Sequence, residues 1–203
     1  MQLLNSIIST LAVATLAYAD CSSLGGSDSF SGSFRLAAYD ATAGTTTTLT
    51  LANSLTVPMT SFYVLSASGG TNNGFVNLTL SSGIISSQSS ISTLAPIHSL
   101  GAVEVSEQNP VPASGPFLTW SNTFAAPSEV FCAVPSSTPD AGDLLAAYGH
   151  TDLFFLCESF FVLGSPQTFN ALLYNASTTF VPDSTPGYEG STCKPVTVLF
   201  EPL

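Results

Sequence analysis

Read from residue 34 onward, the chain is a series of short runs in which apolar and polar positions alternate every second residue, separated by breaks rich in Gly, Pro, Ser and Asn. A period of two is the signature of a strand with one face buried. Phe34 to Tyr39 reads as a first strand, Asp40-Ala41-Thr42-Ala43-Gly44 as a turn, and Thr45 to Leu51 as a second strand built on β-branched residues. Ser61 to Ser66 follows, bounded by Pro58 and by the turn cluster Gly69 to Gly74. In Phe75 to Leu80 the pattern sets Phe75, Asn77 and Thr79 on one face and Val76, Leu78 and Leu80 on the other.

Further along, Ser81 to Ser99 is a serine-rich stretch with interspersed Ile and Leu, and Leu100 to Val105 is a strand candidate. Glu107 to Pro116, with three prolines, reads as a loop. Phe117 to Trp120, Thr123 to Ala125 and Glu129 to Val134 read as strands, and Pro135 to Asp143 as a loop. Leu144 to Tyr148 fits either one helical turn or a buried strand. Leu153 to Leu163 is assigned to a core strand because Phe and Val dominate it and turns flank it. Asn170 to Tyr174, Thr178 to Val181 and Val196 to Phe200 complete the set, with a loop over Asp183 to Lys194. No segment carries the periodicity of an amphipathic helix, so the expected architecture is all-β, a single β-sandwich or barrel-like domain.

The start of the chain follows a different pattern. Met1 to Ala19 is mostly apolar and ends in Ala17-Tyr18-Ala19, a small-x-small cleavage site, so residues 1–19 read as a secretory signal peptide and 20–203 as one exported domain beginning at Asp20. Its four cysteines, Cys21, Cys132, Cys157 and Cys193, then mature under oxidising conditions and read as two disulfides. Of the three pairings, Cys132 with Cys157 and Cys21 with Cys193 is favoured, the first closing a local unit and the second tying the ends of the domain together. In the same compartment Asn77-Leu78-Thr79 and Asn175-Ala176-Ser177 are N-glycosylation sequons, which makes Asn77 and Asn175 candidate glycan sites that must face solvent.

Charge narrows the partners. Asp, Glu, Lys and Arg make up 7% of the chain, only Arg35 and Lys194 are basic, and the net charge is -11. Binding nucleic acid needs Lys and Arg to neutralise phosphate, and binding anionic lipid needs them as well. An acidic surface whose polarity comes from Ser and Thr suits neutral polysaccharide instead, and cell-wall polysaccharide is the expected partner class.

Candidate chemistry is sparse. No G-x-S-x-G elbow occurs, and the glycine pairs Gly25-Gly26 and Gly69-Gly70 lack the lysine and helix of a phosphate loop. His98 and His150 are the two available bases, with Asp152 beside the second. The thirteen acidic residues offer many pairs for glycoside hydrolysis but no means of choosing one. Trp120, Tyr39, Tyr63, Tyr148, Tyr174 and Tyr188 would stack on sugar rings if exposed, and Tyr188, in a Pro- and Gly-rich loop, is the best candidate for exposure. We therefore assign no catalytic, cofactor-binding or metal-ligating residue.

The segments Phe34 to Tyr39, Phe131-Cys132-Ala133-Val134-Pro135, and Tyr148 to Phe161 around Cys157 resemble a fungal group, the secreted phialide-associated (PhiA-like) cell-wall proteins. The likeness spans residues 30 to 165, with Cys132-Ala133-Val134-Pro135 standing where that group has adjacent Cys and Pro. It implies a role in the cell wall and spore development and no catalytic residues. The sequence thus leads to a non-enzymatic secreted cell-wall or cell-surface protein. The alternatives are an extracellular carbohydrate-active hydrolase with an Asp/Glu pair and a secreted effector that binds a host protein.

Overall fold

The computed structural model describes residues 21–57, 60–67, 77–87, 97–104, 111–112, 116–121, 126–138, 142–163, 165–180 and 187–203. Strands β1 (Phe34–Asp40), β2 (Thr45–Val57) and β3 (Thr60–Ser66) form a meander. The hairpin of β4 (Leu78–Ser81) and β5 (Ile84–Ser87) follows, then β6 (Ile97–Glu104), β7 (Val111–Pro112) and β8 (Phe117–Ser121). The second half adds β9 (Phe131–Val134), β10 (Leu144–Ala147), the long hairpin of β11 (Phe154–Leu163) and β12 (Ser165–Tyr174), β13 (Gly187–Tyr188), β14 (Lys194–Pro195) and β15 (Thr197–Pro202).

These strands close into an 8-strand antiparallel barrel with further strands outside it. The ring runs β1-β2-β3-β12-β8-β6-β5-β4 and returns to β1 through the Phe34–Leu78 pair. β3 and β8 pair directly over Phe62–Val64, and β12 joins them where they part, bonding Ser66 through Ala171 and Phe117 through Leu173. Outside the ring, β15, β10 and β9 extend the sheet from β1, while β11 extends it from β12 and carries β13 and β14.

Alternation decides which residues fill the ring. Phe34, Leu36 and Ala38 of β1, Leu49 and Leu51 of β2, Leu78 and Leu80 of β4, and Leu118 and Trp120 of β8 belong to the largest apolar cluster. Trp120 stacks near Phe131 with ring centroids 6.1 Å apart. Phe30, Phe34 and Phe200 pack as an aromatic group at 4.5 to 5.3 Å. On β3, β8 and β12 the opposite face is buried as well, in a second cluster of Phe62, Val64, Phe117, Ala171 and Leu173 with Cys157 and Tyr188. A third, small cluster holds Cys21, Cys132, Val134 and Ala146. β9 is therefore buried on both faces, with Phe131 and Ala133 in the main cluster and Cys132 and Val134 in the third.

All four cysteines are in disulfides, but the favoured pairing is overturned. The bonds are Cys21–Cys132 and Cys157–Cys193. The ends of the domain are tied without sulfur: β1 and β15 pair from Phe34–Pro202 to Tyr39–Thr197, and the Leu203 amide donates to the Ser33 carbonyl. Cys193 instead follows the register of β11 with β14, in which Leu156 faces Lys194, so it sits beside Cys157. Cys21 lies in a 3-10 turn, Cys21–Leu24, that packs against β9.

Other differences are local. Ser81 to Ser99 contains β5, turned from β4 at Ser82 and Gly83, both with positive φ. The proline loop 107–116 includes β7, paired with β6. Leu144 to Tyr148 resolves as a strand, and Leu153 to Leu163 is a strand as expected. Thr178 to Phe180 is a turn rather than a strand, because Phe180 folds back to hydrogen-bond with the Ser177 carbonyl and with Gly190. The loop 183–194 includes β13, a 3-10 turn at Gly190–Thr192, and β14. The signal segment, Asp20, the Gly69 to Gly74 turn and the Thr123 to Ala125 strand lie outside the described residues.

Peptide mapping under non-reducing conditions checks the covalent frame: Cys21 should be recovered with Cys132, and Cys157 with Cys193. Loop-closure entropy predicts that replacing the first pair with serine costs about 5 kcal/mol and the second about 4 kcal/mol, read from denaturant unfolding.

Candidate functional site

The candidate site is a groove of about 370 Å³ beside the Cys21–Cys132 disulfide. One wall is Gly26, Ser27, Ser29, Phe30 and Ser31, and the other is Ala133, Pro135 and Asp143. The first wall is held in place by backbone. Ser27 and Ala133 exchange two amide-to-carbonyl hydrogen bonds of 2.8 Å, the Phe30 amide donates to Leu80, and the Gly83 amide donates to Asp28. Gly26 permits this approach, since a Cβ there would lie 2.6 Å from the Ala133 carbonyl oxygen. The Phe30 ring is fixed by stacking on Phe200 at 4.8 Å and by an edge contact with Phe34.

Asp143 and Ser31 are the groove's available polar groups. Asp143 is half-buried, its own carbonyl accepts from the Phe200 amide at 2.8 Å, and its carboxylate has no partner among the described residues. Ser31 is exposed, and its hydroxyl makes no hydrogen bond among the described residues. Ser29 and Ser27 are committed to the rim: the Ser29 hydroxyl donates to Asp28, and the Ser27 hydroxyl accepts from the Ser29 amide. The groove therefore offers an aromatic edge, a free hydroxyl and one carboxylate acceptor on a preformed frame.

Several other carboxylates have local duties. Asp40 accepts from the amides of Thr42 and Ala43 at 2.8 and 3.0 Å, closing the β1–β2 turn. Glu189 accepts from Ser191 at the start of a 3-10 turn, and Glu201 lies 3.8 Å from Arg35 across β1 and β15. Asp143 is the one carboxylate that lines the groove, whereas glycoside hydrolysis needs two that face each other.

The histidines fall on separate elements. His98 lies in β6, and its Nδ1 is 2.9 Å from the hydroxyl of Ser86, its cross-strand neighbour. No further hydrogen bond orients its ring among the described residues. His150 and Asp152 are an exposed pair at 3.7 Å in the turn after β10. Among the described residues, no three His, Cys, Asp or Glu side chains cluster as a metal site would require.

The aromatic candidates divide differently from expectation. Tyr188 is buried, not exposed: its ring stacks on Phe180 at 4.5 Å and its hydroxyl accepts from the Ser177 amide at 2.9 Å. Trp120 is a core residue, and Tyr63, Tyr148 and Tyr174 are half-buried. Tyr39 is exposed, at 37%. The sequon residues Asn77 and Asn175 both face solvent, and Leu78 and Leu80 point into the core as the alternation required. The groove itself was not found from sequence. A lone Phe30 in a Ser/Gly-rich lead-in that also carries Cys21 was the available signal.

The chain matches no protein-family model, no curated protein and no solved structure. Among the described residues, no helix is long and apolar enough to cross a membrane. The two disulfides are compatible with an oxidising extracellular setting.

Burial, reinforced by Tyr148 and Asp152, pushes the Tyr174 hydroxyl up from about 10 to about 12. The fold thus favours the neutral phenol, and this contribution to stability is complete below pH 10 and lost as pH rises toward 12. A phenolate absorbance titration should show a late step near pH 12 that is missing in Tyr174→Phe.

Proposed function

We propose that this chain is an exported, non-enzymatic protein of the fungal cell surface or wall that contacts neutral polysaccharide through the Phe30–Asp143 groove. The observation that carries the reading is one carboxylate, without a partner among the described residues, beside an aromatic edge and an exposed serine hydroxyl. Sugars are recognised by this combination: ring C–H groups pack on the aromatic, and hydroxyls donate to the carboxylate. One carboxylate binds but does not supply the acid and base of a hydrolase. A net charge of -11 repels acidic polymers and leaves neutral ones. The preformed rim lowers the ordering cost of binding, and the resemblance to PhiA-like wall proteins points to the same setting.

The test is retention on insoluble β-glucan and chitin, with soluble sugar release measured in parallel. The secreted protein should be retained on at least one polymer without releasing sugar. Losing a charge-assisted hydrogen bond is worth about 1.5 kcal/mol or more, so Asp143→Ala should weaken retention roughly tenfold. Ser31→Trp should block the groove while leaving thermal unfolding unchanged. Released sugar would favour a hydrolase, and retention unaffected by either variant would remove the groove from the account.

A further inference from the structure

We propose that the threonine tract Thr45 to Thr48 is an O-glycosylation site, with Thr46 as its first acceptor. This goes beyond the groove and rests only on the chain being exported. The tract opens β2, and all four residues are exposed. Among the described residues their hydroxyls make no hydrogen bond.

Strand edges explain why something must cover this segment. Thr45 to Thr48 pair with β1 on one edge, from Asp40–Thr45 to Ala37–Thr48, and no described strand pairs their other edge. An open edge of uncharged β-branched residues is a template for pairing with another chain, and proteins blunt such edges with charge, proline, a bulge or a cover. From Ala41 to Leu51 this hairpin has no charged residue and no proline, and the register of β2 is regular there. Hydrophilic sugars on the threonines would supply the missing protection.

Register selects the acceptor. Thr46 lies directly opposite Tyr39, so the two side chains share a face. Tyr39 is 37% exposed, and among the described residues its side chain makes no ring contact or hydrogen bond. A hexose on Thr46 would lie over that ring, while Thr48 opposite Ala37 offers no such seat. In the transfer, the bond between sugar C1 and the phosphate of an activated donor breaks and a C1–Oγ1 bond forms. The phosphate leaves with the electron pair, and the hydroxyl proton passes to a base of the secretory transferase.

The experiment is to express the full chain in a secreting fungal host and fragment the peptide containing residues 41 to 50 by a method that keeps sugars attached. The proposal expects whole-hexose increments within Thr45 to Thr48, with Thr46 occupied in singly modified peptide. Thr46→Val, which keeps the strand, should reduce that occupancy severalfold and speed nitration of Tyr39. Secreted protein whose peptide has the unmodified mass overturns the proposal, as does sugar confined to other segments. Cell-retained chain that still carries residues 1–19 overturns the export reading on which it rests.

Discussion

The groove depends on one constraint, the clamp that holds residues 21–30 against β9. β9 ends the strand order, and its outer edge would otherwise be open. Cys21–Cys132 fixes one end of the covering segment, and the reciprocal Ser27–Ala133 hydrogen bonds fix its middle. Gly26 lets the two backbones approach as no other residue could. The same clamp buries Cys132 and Val134, protects the edge and positions Phe30 and Ser31 opposite Asp143. Edge protection and the candidate binding surface are thus one piece of structure.

The barrel supplies the foundation. Residues that alternate inward on β1, β2, β4 and β8 fill the ring. Where both faces of a strand are buried, as in β8 and β9, the second layer comes from outside the ring: Cys157 and Tyr188 share a cluster with Phe117, and Cys21 shares one with Cys132 and Val134. Polarity is left to hydroxyls and to carboxylates placed at turns, such as Asp40 and Glu189. Such a surface suits contact with neutral, hydrated polymers.

Much of this was legible in the sequence because a period of two is a local signal. β1, β3 and the burial of Leu78 and Leu80 against an exposed Asn77 follow from it directly, while β11 is read from its Phe and Val content and its flanking turns. β5 escaped because its polar positions are serines within a longer serine-rich stretch, although Ser82-Gly83 marks its turn. Thr178 to Val181 reads as a strand, but over Thr178 to Phe180 contact with Gly190 decides a turn: a Cβ at Gly190 would lie 2.6 Å from the Phe180 backbone. The Cys21–Cys132 bond and the groove join segments more than a hundred residues apart, and Cys157–Cys193 follows the register of β11 with β14 across 36 residues; no local pattern encodes either. Tyr188 looked exposed because its loop is rich in Pro and Gly, yet its ring is the partner of Phe180.

The most direct test of the clamp is amide hydrogen exchange on the wild-type chain and on a Cys21→Ser/Cys132→Ser double variant. The account predicts that the Ser27 and Ala133 amides lose most of their protection in the variant, while the β1 and β2 amides inside the ring keep theirs. Unchanged protection at Ser27 and Ala133 would contradict it.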